Sequence, residues 1–222
     1  MFFRALLSHN RRDVLNAQQR TAMVRLKLYL APDEQTLQFC RSINAGIQRL
    51  TGSAIVFRDD SPMIPHITLA TGFLEHPQAL EGLTDVIQNL AQRVKPLTLR
   101  LSRPYLDPVQ RGYVLCAIGE HPDLHKLRKL VSEAMPGAFL PLRKMGSHGA
   151  HLTLAHIDAH HDTVHLYLQQ VEVIPQVVCA RMEIARAGHH GTCIDRLFGC
   201  DLAGGNDRTE DLRAHRVSYV DR

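Results

Sequence analysis

The sequence lacks the features that define several common classes of protein. Tryptophan is absent and aromatic residues make up 5% of the 222 residues, so an extended platform for stacking nucleic-acid bases is not expected. The 5 cysteines are an odd number without a Cys-x-x-Cys pair, which argues against both a disulfide scaffold and structural zinc. No apolar run approaches the roughly 18 residues that a membrane-spanning helix needs. We therefore expect a cytoplasmic protein with reduced thiols and no membrane segment.

The remaining composition is that of a globular protein with a basic balance. Apolar residues make up 45% of the chain and charged residues 22%, which is ordinary for a globular domain. The formal net charge of +4 fits an anionic ligand without requiring nucleic acid. At this length the chain can form one sizeable core or two small lobes.

The two ends of the sequence differ from the middle. Residues 1–22 are rich in arginine and contain a single acid. We interpret them as a flexible or short helical extension without a catalytic part, although a transit peptide has a similar composition. Residues 203–222 are polar and are expected to form a flexible tail. The folded domain is therefore expected to span residues 23–202.

The most informative feature is a five-residue word that occurs twice, as HITLA in His66–Ala70 and as HLTLA in His151–Ala155. Alternate residues of a β-strand share a face, so each histidine would lie beside a threonine, with the apolar residues opposite. Histidine titrates near neutral pH and is a poor choice for a structural strand position. Two such strands would place two acid/base groups and two hydroxyl donors around one anion. This arrangement predicts cleavage of a phosphodiester without a metal.

The order of predicted elements also occurs twice, which indicates an internal duplication. The first half is predicted to contain a strand (24–30), a helix (32–52), the first motif, a helix (77–94) and a strand (97–101). The second is predicted to contain a strand (113–118), a helix (122–135), the second motif, a short helix (163–170), a strand (177–186) and a hairpin return (192–202). We expect an α+β fold of two pseudo-symmetric lobes, about 23–105 and 112–202. Antiparallel sheets, flanking helices and a central crevice carrying both motifs would complete it.

Four further residues are candidates for contacting a ligand. Arg143 and Lys144 precede the second motif and could clamp a phosphate, although such side chains often only solvate a loop. Lys27 and Tyr29 alternate with apolar residues on the first strand and are expected to face the crevice unless they are simply exposed.

Histidine is concentrated in two short segments. Six histidines lie between His148 and His165, but the segment has no His-Glu-x-x-His pattern. We interpret the histidines outside the motif as surface residues and expect no metal and no cofactor. His189 and His190 lie between glycines and are expected to face solvent.

The runs Pro65–Leu69 and His151–Leu154 resemble the two signature motifs of the 2H phosphoesterase superfamily, which includes 2′-5′ RNA ligase-like proteins and cyclic phosphodiesterases. The resemblance covers roughly residues 23–202 and implies a bilobal duplicated fold. It also implies metal-independent hydrolysis of 2′,3′-cyclic phosphates on nucleotides or RNA ends. By the same resemblance, His66, Thr68, His151 and Thr153 are the catalytic residues.

Several alternatives remain open at this point. Many family members have an arginine shortly after the second motif, where this chain has His156, so small cyclic nucleotides are possible substrates beside RNA. The same site could perform 2′-5′ RNA ligation, or the domain could bind a nucleotide or RNA end without turnover. A zinc-dependent hydrolase is a third alternative.

The expected partner is a nucleotide or RNA terminus bearing a cyclic phosphate or a 2′-5′ linkage, bound by a monomer. One hypothesis has His151 activating water and His66 protonating the leaving oxygen; the reverse is equally open.

Overall fold

The computed structural model describes residues 23–142 and 149–204. Within these ranges the chain forms nine strands and four α-helices, which confirms the α+β class. The strands are β1 (Val24–Pro32), β2 (Ile67–Leu74), β3 (Leu97–Arg100), β4 (Tyr105–Leu106), β5 (Tyr113–Ala117), β6 (Phe139–Pro141), β7 (His151–His156), β8 (Gln176–Ala187) and β9 (Cys193–Asp201). The helices are α1 (Glu34–Thr51), α2 (Leu80–Ala91), α3 (Pro122–Ala134) and α4 (His161–Gln170), with short 3-10 turns at Pro77–Ala79 and His189–Gly191.

All nine strands join one antiparallel sheet. Its order is β3-β8-β1-β2-β7-β5-β4, with β6 added to β2 and β9 added to β8. The two motif strands, β2 and β7, are therefore neighbours in the middle of the sheet, where Ile67 pairs with Leu152. This pairing brings the two His-x-Thr motifs together although they are far apart in sequence.

The first half has an irregular register between β1 and β2. Lys27 pairs with Thr71, but the register then shifts between Leu28 and Tyr29 so that Tyr29 pairs with Thr68. Such a bulge inserts an extra residue and redirects the side chains that follow it.

The second half repeats this irregularity between β5 and β7. Tyr113 pairs with His156, and a shift between Val114 and Leu115 makes Leu115 pair with Thr153. The bulge occurs at the same place relative to the motif in both halves. Tyr113 in β5 is consequently the counterpart of Lys27 in β1. The second half therefore carries a tyrosine where the first half carries a cation.

A helix from each half binds the motif strand of the other half. The amide of Asn44 in α1 donates to the Leu154 carbonyl in β7 at 2.8 Å. The guanidinium of Arg128 in α3 donates to the Thr68 carbonyl in β2 at 3.0 Å. Strand β8 likewise crosses from the second half to pair with β1 and β3. The halves of the sequence therefore interlock in space, which fixes the motif strands relative to one another.

Local signals explain where α1 begins and ends. The Asp33 carboxylate caps its first turn by accepting from the Thr36 amide at 2.7 Å. Gly52, with φ of 77°, ends the helix in a conformation that favours glycine. The apolar face of α1 buries Cys40, Ile43 and Ile47 against the sheet.

The ends of the domain differ slightly from expectation. Residues 1–22 and 205–222 lie outside the described residues. The amides of Ala203 and Gly204, which the sequence assigns to the tail, donate to the carbonyls of Ala91 and Val94 at the end of α2. Over the described part of the chain, no helix has the length and apolarity to cross a membrane.

Candidate active site

A cavity of about 100 Å³ lies where the motif strands meet. It contains both motif histidines and both motif threonines, together with side chains from β1, β5 and the 3-10 turn before β9. The lining residues are Lys27, His66, Thr68, Gln110, Tyr113, Leu115, His151, Thr153, His190 and Gly191. The duplicated strands thus place two imidazoles, two hydroxyls and one ammonium group around a volume that suits a small anion.

The two histidines are held by the same kind of hydrogen bond. Nδ1 of His66 lies 2.7 Å from the Ile64 carbonyl, and Nδ1 of His151 lies 3.1 Å from the Gly149 carbonyl. A carbonyl oxygen only accepts, so Nδ1 carries the hydrogen in both rings. Nε2 is therefore the nitrogen that can take up or release a proton on each histidine.

Lys27 places a cation against the first motif. Its side chain is 5% exposed, and its Nζ lies 3.1 Å from Nε2 of His66 and 3.5 Å from Oγ1 of Thr68. It also donates to the carbonyl of Gly191. An ammonium group has three hydrogens, so these contacts can be satisfied together. The sequence expectation that Lys27 faces the crevice agrees with this position.

Burial and the positive charge of Lys27 favour the uncharged form of both motif histidines. Burial lowers the pKa of His66 well below its usual 6.5, and the neighbouring Lys27 ammonium lowers it further. The pKa of His151 is also lowered, mainly by burial, and there the ammonium has a smaller effect. Burial lowers the pKa of Lys27 as well. A bound anion would oppose these effects, because it attracts the protonated forms.

The expectation that Tyr29 contacts a ligand is corrected by its burial. Tyr29 is 0% exposed because Cys193 and Ile64 cover it. Its hydroxyl donates to Oε2 of the buried Glu183 at 2.5 Å, and its ring packs edge-on against His66 with centroids 5.4 Å apart. Tyr29 therefore lies behind the first His-x-Thr motif and supports it without reaching the cavity.

Glu183 is a buried charge that sequence reasoning did not identify. Its side chain is 1% exposed and accepts from Arg196 at 2.9 Å and from Arg181 at 3.4 Å, in addition to Tyr29. These partners offset the cost of burying a carboxylate next to the site.

Two histidines that were expected at the surface belong to the surroundings of the site. The side chain of His156 is 13% exposed, because it packs between Tyr113 and His190. His190 is exposed as expected from its turn, but its ring lies at the cavity and contacts His156. The packing of the β8–β9 turn against β7 causes the difference, and no local sequence pattern encodes it.

The remaining sequence candidates were not all described, and two residues that line the cavity were not predicted. Arg143, Lys144 and His148 lie outside the described residues. Tyr113 could have been found by aligning the two halves, since it is the counterpart of Lys27. Gln110, in the turn before β5, has no comparable signal. Among the described residues, no group of three or more histidine, cysteine or acidic side chains could hold a metal ion.

Comparisons with known proteins agree with the fold. Residues 40–186 match the family model of the 2′-5′ RNA ligase superfamily, which is more than half of the chain. The chain therefore belongs to the 2′-5′ RNA ligase superfamily, a group of 2H phosphoesterases, and this membership supports an activity of the phosphoesterase or ligase kind. No curated protein matches the sequence significantly.

Two solved structures share the fold at low sequence identity. TT0787 of Thermus thermophilus superposes with a TM-score of 0.56 at 15% identity, covering 81% of this chain and 98% of that chain. E. coli LigT complexed with 3′-AMP gives a TM-score of 0.52 at 16% identity, with the same coverage of both chains. At this identity the similarity shows a common fold.

Proposed function

We propose that this protein is a metal-independent phosphodiesterase that hydrolyses 2′,3′-cyclic phosphates of nucleotides or RNA ends. The observation that carries the proposal is the convergence of His66, Thr68, His151, Thr153 and Lys27 on one small cavity. LigT, which shares the fold, binds 3′-AMP, and a nucleoside monophosphate is the type of product that opening a cyclic phosphate releases.

The residues can divide the reaction between them. One imidazole takes a proton from water as the water oxygen bonds to phosphorus. The other imidazole gives a proton to the ribose oxygen as its bond to phosphorus breaks. The hydroxyls of Thr68 and Thr153 and the ammonium of Lys27 donate to the non-bridging oxygens, where negative charge increases in the transition state.

The position of Lys27 favours His66 as the base. The ammonium lies 3.1 Å from Nε2 of His66, and burial and this charge together lower the pKa of the ring. His66 therefore presents an unprotonated Nε2, which suits the activation of water. Burial is the main cause of the lowered pKa of His151 and the Lys27 charge is a lesser one, so the negative charge of a bound phosphate favours the uptake of a proton from solvent by this ring. We accordingly assign the acid role to His151, which is the second of the two assignments that the sequence left open.

Substitution of each histidine tests the proposal. The substrates are 2′,3′-cyclic nucleotides, 2′-5′ dinucleotides and cyclic-phosphate-ended RNA, all assayed with EDTA. We expect His66→Ala and His151→Ala each to lower kcat/KM by about 10²–10⁴-fold, the usual contribution of general acid/base catalysis. His165→Ala, at an exposed histidine of α4 outside the cavity, is the matched control. Wild-type turnover in either motif variant would contradict the two-histidine mechanism, and loss of activity in EDTA would favour the zinc-dependent alternative.

Ligation in the same site is the second candidate, because the matched family is named for it. A ribose hydroxyl of a second RNA end would replace water as the nucleophile, and His66 would deprotonate it. Incubating cyclic-phosphate-ended RNA with a second RNA that has a 5′-hydroxyl distinguishes the two outcomes. A joined product with a 2′-5′ linkage supports ligation, whereas a 2′- or 3′-phosphate end supports hydrolysis. Binding without either product would indicate a non-catalytic module. Monomeric state and cytoplasmic location stay predictions.

A further inference from the structure

Three aromatic rings gather at one side of the cavity. The ring of His156 lies 4.6 Å from that of Tyr113 at 77° and 4.1 Å from that of His190 at 34°, measured between centroids. Tyr113 and His190 line the cavity, and His156 lies behind them.

The backbone is adapted to hold these rings. Gly112, with φ of 92°, lets the chain pass closely over the Ile157 carbonyl, with which a Cβ atom would clash, and beside the ring of His156. His190 has φ of 50° and ψ of 30°, a left-handed conformation that is uncommon for residues other than glycine. In this conformation the ring of His190 packs on His156, although His190 is an exposed residue.

Tyr113 on β5 lies across the two motif strands from Lys27 on β1. Tyr113 is the counterpart of Lys27 in the duplicated strands, so the cavity has a cationic side and an aromatic side. The two sides meet at the 3-10 turn, where Gly191 accepts from Lys27 and the preceding residue is His190. A nucleotide has the same two parts, a charged phosphate and a flat aromatic base.

We propose that Tyr113 and His190 bind the base of a nucleotide substrate by stacking, with His156 as a positioning residue behind His190. This inference rests on the proposed function, because it assigns the other end of the same substrate. Stacking of a base on a protein ring typically strengthens binding by about tenfold or more. It tolerates all four bases, and we expect purines to bind more tightly than pyrimidines because their ring surface is larger.

Equilibrium binding tests the base site separately from catalysis. The probes are adenosine 2′-monophosphate and methyl riboside 2-phosphate, which carries the same phosphate without a base. We expect the wild-type protein to bind the adenosine probe at least about tenfold more tightly. His190→Ala should remove most of this preference and leave the affinity for the base-free probe unchanged, whereas His190→Phe should keep it. His189→Ala, at an exposed residue of the same turn that does not line the cavity, is the matched control.

Turnover of 2′,3′-cyclic AMP supplies the second readout. Because the base is remote from the reacting phosphorus, we expect His190→Ala to raise KM more than it lowers kcat. Equal affinity of the wild-type protein for both probes would overturn the base site. An equal loss of affinity for both probes in His190→Ala would also overturn it. Failure of the proposed function has a different signature, which is a preference for the adenosine probe without hydrolysis of any cyclic nucleotide.

Discussion

Replacing Lys27 with methionine removes the ammonium group from the cavity and keeps a side chain of similar length. Nζ lies 3.5 Å from Oγ1 of Thr68, so a phosphoryl oxygen that contacts both groups can lie at about 4 Å or less from the charge. At this distance two unit charges interact by about 1 kcal/mol in water and by about 4 kcal/mol at the lower dielectric of a protein site. Lys27 is 5% exposed, which favours the larger figure. Since about 1.4 kcal/mol corresponds to a tenfold change in rate, we expect kcat/KM to fall by about 10²–10³-fold.

The same substitution should change the pH dependence. The Lys27 ammonium is the second cause, after burial, of the lowered pKa of His66. Its removal lets that pKa rise, so a larger fraction of His66 is protonated in mildly acidic solution and cannot act as the base. The acidic limb of the kcat/KM profile should therefore move to higher pH in Lys27→Met. Lys27→Arg keeps the charge and is the matched control, with a smaller loss of kcat/KM and little movement of the limb.

The assay is hydrolysis of a 2′,3′-cyclic nucleotide between pH 5 and pH 9, with circular dichroism to verify that each variant is folded. Activity of Lys27→Met within about threefold of wild type would refute the electrostatic role, because even the interaction in water predicts a larger loss, of about fivefold. A large loss of activity with no movement of the acidic limb of the kcat/KM profile would refute the assignment of His66 as the base, because Lys27 opposes the protonation of that ring.

Three further predictions concern stability. Tyr29→Phe removes the hydroxyl that donates to the buried Glu183, and it should lower the free energy of unfolding by about 1–3 kcal/mol in a urea titration. Asn44→Ala leaves the Leu154 carbonyl and the Phe57 amide without this partner, whereas the Ile55 carbonyl keeps its hydrogen bond from Gln48. We expect a loss of about 3 kcal/mol by the same measurement, and a loss below about 1 kcal/mol would contradict the stabilising role of Asn44. Acidification should destabilise the protein, because the unfolded chain binds a proton at His66 near pH 6.5 while the folded protein resists it. The melting temperature should thus fall as the pH drops below about 6.5, and it should fall less in His66→Gln; an equal fall in both proteins would show that other groups cause it.

Long periodic elements were predictable because their pattern depends on local sequence. Helix α1 has a carboxylate cap at Asp33, buried residues on one face and Gly52 at its end, and all three signals are present in the sequence. Strands β4 and β6 were not predicted, since they contain two and three residues and are too short to show alternation. Each exists because a neighbouring strand pairs with it, which is a tertiary effect.

The first strand shows the same limit within the site. Alternation on β1 selects Lys27 and Tyr29 together, and it treats both as equally able to reach a ligand. The β8–β9 hairpin then covers Tyr29, so that only Lys27 enters the cavity. A contact between residues that are distant in sequence decided between them, and local periodicity contains no information about such a contact.

The sequence by itself selected the groups that we propose to react, because a repeated His-x-Thr word on two strands specifies both the residue types and their shared face. It also determined the duplication, since the order of elements is itself repeated. Only the tertiary structure decided how the two motifs differ from one another. Pairing of β2 with β7 brought them into one cavity. The order of the strands placed Lys27 on one flank of the motifs and Tyr113 on the other, and the turn before β9 added His190. The physical reason is that acid/base chemistry is carried by single side chains, whereas charge and shape around an anion arise from every element that packs against it.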